Sequence, residues 1–108
     1  MMRIKVKLHE YTLNNRNKLK IAKKISIGDR QILLLNLKEP PPLEGCKNIL
    51  SVDLDCNILW VADLPTEVYD SYYDIWLENG IIFGRSSNSI ISEIEPSTGV
   101  LQKKYMVK

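Results

Sequence analysis

One histidine, His9, and two cysteines, Cys46 and Cys56, are all the imidazole and thiol in this 108-residue chain. A Ser–His or Cys–His catalytic pair would have to use His9, which lies on a lysine-rich stretch beside Glu10 and reads as an exposed strand residue. Metal sites need several His, Cys or carboxylate groups converging. Here the thiols flank a strand and the acids are scattered, so neither a metal nor another cofactor is expected. The cysteines do not form a CxxC pair, which suits free thiols better than a disulfide framework. No run approaches the roughly 18 apolar residues of a membrane helix. The basic start, Met1 to Lys7, lacks the apolar segment of a signal peptide. A cytoplasmic chain with no membrane partner is therefore expected. Gly28, Gly80 and Gly84 do not make a phosphate loop. Asp53 and Asp55 stand at i, i+2, but in a hairpin such acids bond turn amides. No residue is assigned a catalytic role, and the chain reads as non-enzymatic.

What is present is an ordinary globular balance, 44% apolar and 26% charged, in one domain over residues 1–108. The net charge of +2 hides an asymmetry. Residues 1–47 hold eleven Lys/Arg against four Asp/Glu, whereas residues 48–102 hold nine acids against Arg85 alone. Either the acidic half meets a basic partner or the two halves face each other.

The pattern along the chain is that of strands. Arg3 to Leu8 alternates Lys with apolar residues, and Asn14 to Asn17 reads as a turn. Leu19 to Ile27 is a second strand kinked near Lys23–Lys24. Gly28–Asp29 is a tight turn, and Gln31 to Leu37 is a short apolar run whose length favours a strand. The prolines 40–42 end that unit. Ile49 to Trp60 reads as a hairpin whose turn suits Asp55 and Asn57. Residues 61–74 form a long loop. Asn79–Gly80, a strong type I′ signal, joins 73–78 to 81–85, with further strands at 89–95 and 100–107. Ser51, Leu54, Ile58 and Leu59 map to Ser92, Ile94, Val100 and Leu101, a period of 40 to 42 residues of the kind that stacked blades produce. The expected fold is all-β: antiparallel meanders, half-propeller-like, with about two four-stranded blade units.

The run Val52-Asp53-Leu54-Asp55, a turn, then Ile58-Leu59-Trp60 resembles the blade motif of quinoprotein-type β-propellers. The second copy carries Gln102 where Trp would sit. Closed propellers need at least about four blades, so the chain resembles small bacterial half-propeller proteins. That resemblance extends to immunity proteins of contact-dependent growth inhibition toxins, which bind and block a toxin domain, often a nuclease. It implies no quinone or metal ligand here.

The long loop is the candidate binding element. Asp63, Glu67, Tyr69, Asp70, Tyr72, Tyr73 and Asp74 crowd it, and tyrosines anchor interfaces while acids steer a basic partner. Trp76, inside a strand, reads as core. The expectation is a toxin inhibitor whose acidic loop occludes a basic active site. A homodimer closing open sheet edges is the alternative. RNA binding through Lys18 to Lys24 ranks last, because Tyr11 is the one aromatic nearby and Lys also protects an edge strand.

Overall fold

The computed structural model describes residues 7–8, 20–37 and 40–107. The expected strand from Arg3, the turn at 14–17, His9 and part of the basic stretch lie outside these residues. Eight strands lie among the described residues: β1 (Lys20–Ile27), β2 (Arg30–Asn36), β3 (Ile49–Val52), β4 (Ile58–Val61), β5 (Tyr72–Glu78), β6 (Ile81–Ser86), β7 (Ile90–Ile94) and β8 (Leu101–Met106). They form two antiparallel meanders, β1-β2-β3-β4 and β5-β6-β7-β8. The chain is all-β, with two blade-like units.

Local chemistry explains the boundaries. Gly28 supplies a positive φ of 60° between β1 and β2. Asn79 and Gly80 both adopt positive φ, as a type I′ hairpin between β5 and β6 requires. The kink in β1 is a bulge between Ile21 and Lys23. In the β3–β4 turn the Asp53 carboxylate accepts the backbone N–H groups of Asp55 and Asn57, each at 2.9 Å. The left-handed residue there is Cys56, φ 61°, rather than Asp55 or Asn57, because Asp53 already supplies the side-chain cap. Glu95 plays the same part before β8. It accepts from Ser97 N–H and Thr98 Oγ1, and the Ser97 N–H bond holds its carboxyl below its ordinary value.

The continuous apolar run in β2 follows from burial on both faces. Ile32 and Leu34 join Ile49, Trp60 and Ala62 in packing against Tyr72, Ile75, Ile82 and Ile94 of the second sheet. Leu33 and Leu35 point to the opposite face with Cys46, Leu50 and Val52, where Leu8 packs on them. The Leu8 N–H donates to Cys56 O at 2.9 Å, fastening this cover.

Three devices hold the sheets together. Gly84 leaves room in β6 for the Tyr72 ring and Ile49, which an added Cβ would meet at 2.8 and 2.9 Å. Trp60 donates its indole N–H to Pro96 O at 2.9 Å and lies against Gly99. Asn48, fully buried, bridges Leu35 O and the backbone of Tyr72. Two exposed ion pairs, Lys23–Asp74 and Lys47–Asp63, join the basic segment to the acidic one, so part of the charge asymmetry is satisfied internally. Such pairs are each worth at most about 1 kcal/mol.

The ladder registers reveal a closer repeat than the sequence phrase does. Bulges fall between Ile21 and Lys23 in β1 and between Tyr72 and Asp74 in β5, an offset of 51. Two more lie in β4 at Leu59, opposite the Ser51–Val52 step of β3, and in β8 at Gln102, opposite the Glu93–Ile94 step of β7, the β3 and β7 steps being offset by 42. The difference of nine is the extra length of the β2–β3 connection, residues 37–48, over the β6–β7 connection, residues 87–89. Register therefore matches Ser51 to Glu93 and Val52 to Ile94, one position off the expected pairing of Ser51 with Ser92. Trp60, opposite Ser51, corresponds to Lys103 rather than Gln102.

Candidate functional site

The connection between the two sheets, residues 62–71, is held from inside. Asp70 is fully buried. Its carboxylate accepts from Thr66 Oγ1 at 2.6 Å and from the backbone N–H groups of Ser71 at 3.0 Å and Asn88 at 3.2 Å. Asn88, in the β6–β7 turn, donates its side-chain amide to Thr66 Oγ1 and Val68 O, both at 2.8 Å. The segment 43–46 braces the other side: Tyr69 N–H donates to Leu43 O at 2.8 Å, and Cys46 N–H to Asp70 O at 2.9 Å. Gly45, φ 80°, is essential to this approach, since a Cβ there would stand 2.8 Å from Asp70 O and 2.5 Å from Leu64 Cδ1.

Asp70 and Tyr72 were expected on the contact surface, and the structure corrects this. A carboxylate surrounded by three donors organises the loop instead of facing a partner. Tyr72 is buried between the sheets, where its hydroxyl donates to Asp63 O at 2.7 Å and burial raises its pKa. Asp74 pairs with Lys23 at 3.1 Å and accepts the Ile75 N–H at 2.9 Å. Tyr73 leaves the loop altogether. The bulge turns it, 54% exposed, onto the outward face of the second sheet, with the Arg85 guanidinium 5.7 Å from its ring centroid. Trp76 is also displaced from its expected core position: it lies half-buried on that face, stacked on Phe83 with centroids 5.5 Å apart.

Asp63, Glu67 and Tyr69 remain exposed on the loop. Asp63 and Glu67 border an open depression of about 350 Å³ with Leu64, Thr66, Glu44 and Lys47. Its rim carries three carboxylates against one ammonium, and Lys47 is paired with Asp63 at 2.9 Å. Tyr69 stands beside exposed Val68 and Glu67. Its backbone φ is 52°, a conformation that costs a non-glycine residue about 1–3 kcal/mol. Glu44 and Lys47 have no signal in the sequence, since nothing in the spacing places the segment after the prolines beside a loop twenty residues on. Among the described residues, no three His, Cys, Asp or Glu side chains gather as a metal ion would require. No helix there is long and apolar enough to cross a membrane.

The fold and the pinned connection define an all-β protein of two packed four-stranded meanders. A family model described as a domain of unknown function, DUF7957, matches residues 1–106, and the chain belongs to that family. No curated protein matches the chain.

Proposed function

We propose that the chain is a non-enzymatic protein-binding protein: a bacterial, cytoplasmic immunity protein of contact-dependent growth inhibition that blocks a toxin domain, a nuclease with a basic active site. The observation that carries this reading is Tyr69, left-handed at φ 52° and 55% exposed on a loop pinned by the buried Asp70 network. A strained residue persists only where its surroundings over-determine it, and such residues cluster at ligand clamps. A pinned loop also loses little conformational freedom on binding. Tyr69 supplies an aromatic anchor, and the acids Asp63, Glu67 and Glu44 beside it supply the charge that steers a basic surface.

The test is co-expression with the toxin domain encoded beside this chain, scored as survival, with purified-protein affinity in parallel. The wild-type chain protects. The variant Asp63→Asn/Glu67→Gln/Tyr69→Ala keeps the fold by circular dichroism and binds about 30-fold more weakly, the effect of losing one anchor worth about 2 kcal/mol. Absence of protection by the wild type, or full protection by the variant, overturns the reading.

A further inference from the structure

The internal repeat assigns a role to the outward face of β5–β8. Matching registers place Trp76, Phe83, Arg85, Ile91 and Glu93 at the positions of Ile25, Ile32, Leu34, Ile49 and Ser51. Those five residues form the face with which the first sheet packs on the second, Ile32, Leu34 and Ile49 lying in the shared core. The second sheet thus presents the docking face of its own repeat, and among the described residues no other sheet packs on it. The face has the composition of an interface: Trp76 stacked on Phe83, Tyr73 and Tyr105 about half exposed, and Ile91 half-buried between them.

Charge identifies the occupant. Where the first sheet carries Leu34 and Ser51, this face carries Arg85 and Glu93, one charge of each sign. Arg85 forms no ion pair among the described residues, and its Nε has no hydrogen-bond acceptor there. Glu93 is only 8% exposed, accepts from the Tyr105 hydroxyl, and forms no ion pair among those residues either. Lys103, opposite Glu93, and Glu78, two residues beyond Trp76, add one further charge of each sign. A surface with cations and anions in equal number on neighbouring strands is self-complementary across a two-fold axis, because each contact i to j is repeated as j to i. Head-to-tail stacking would need the back of the first sheet, where Leu8 already covers Leu33, Leu50 and Val52. That leaves face-to-face pairing.

We propose that a second copy of this chain docks on the outward face of β5–β8 across a two-fold axis, Arg85 of each copy meeting Glu93 of the other. Four strands at about 4.8 Å spacing and roughly 20 Å length make a footprint of about 400 Å² per copy. This lies at the small, transient end of protein interfaces, so dissociation constants in the micromolar range are expected. The surface is separate from the Tyr69 loop, and the proposal stands or falls independently of the toxin reading.

Sedimentation velocity of the full chain, from about 1 µM to about 1 mM, tests it across the range that affinity arithmetic sets. The wild type dimerises within that range. Arg85→Glu and Glu93→Arg each weaken dimerisation at least about tenfold, the two single variants mixed together associate, and Arg85→Glu/Glu93→Arg recovers wild-type behaviour. A merely structural effect would not be rescued by mixing. Glu93 is nearly buried, so Tyr73→Glu at an exposed position serves as the variant that keeps its fold, and it too weakens the dimer at least tenfold. A wild-type chain monomeric throughout the range overturns the proposal. So does a dimer indifferent to Arg85→Glu and Tyr73→Glu, or single variants that fold but do not associate on mixing.

Discussion

Replacing Asn48 by Ala removes the side chain on which the geometry of both sheets converges. Its amide donates to Leu35 O at 2.7 Å and to Tyr72 O at 2.6 Å, and its carbonyl accepts Tyr72 N–H at 2.8 Å, all fully shielded from water. Each bond contributes about 1 kcal/mol net, and each buried group left unpaired costs about 1–3 kcal/mol. Three orphaned backbone groups therefore predict a loss of about 3–4 kcal/mol, a large part of the roughly 5–15 kcal/mol that a domain possesses. For a chain of this length the midpoint of thermal unfolding falls by about 15 °C or more. Urea denaturation with an unchanged slope is the assay, because it separates lost stability from a changed denatured state. Asn48→Asp sharpens the test. A buried carboxylate facing two carbonyl oxygens has a raised pKa, so this variant is least impaired below about pH 4, where the unfolded carboxyl is also protonated. Its deficit grows as pH rises toward the folded pKa and then levels off. An Asn48→Ala protein within about 1 kcal/mol of wild type would refute the claim that this residue ties the sheets together.

Gly99→Ala places a Cβ 2.5 Å from the Trp60 ring at φ 77°, so a loss of about 2–4 kcal/mol and an altered Trp near-ultraviolet signal are expected. Gly28→Ala, at φ 60° in open space, costs only about 1 kcal/mol, and chemical denaturation of both variants checks the contrast. Tyr69→Gly relieves the left-handed backbone and raises stability by up to about 1 kcal/mol while weakening partner binding, two effects read by denaturation and by affinity. Burial raises the pKa values of both Cys46 and Tyr72, so the folded chain keeps these groups protonated after the unfolded chain has begun to release its protons. Stability is therefore full below about pH 8.5 and declines as pH rises further, while a thiol reagent at neutral pH labels exposed Cys56 and spares Cys46.

The fold was legible because its signals are local. Alternation, the Gly28 and Asn79–Gly80 turns, and the Asp53 and Glu95 caps each act within a few residues, and they place the strand boundaries to within one or two positions. The repeat is legible only to within one residue, because Ser92 resembles Ser51 whereas the ladder aligns Ser51 with the unlike Glu93. The site was less legible because a tyrosine or an aspartate looks alike in sequence whether it faces solvent or a ring of donors. Asp70 and Tyr72 are buried because Asn88 and Asn48, eighteen and twenty-four residues away, supply their partners. Tyr73 left the loop because of a single bulge. Tyr69 was found, but its left-handed backbone, which distinguishes it from its neighbours, has no signature in composition.

The central claim is that the pinned loop presents Tyr69, Asp63 and Glu67 to a basic protein. Calorimetric titration of the wild-type chain and the Asp63→Asn/Glu67→Gln/Tyr69→Ala variant into the neighbouring toxin domain, at low and high salt, tests it most directly. The account predicts affinity that falls with salt for the wild type and about 30-fold weaker binding for the variant, at a melting temperature within about 5 °C of the wild type's. Equal affinity of the two proteins, or binding indifferent to salt, would contradict it.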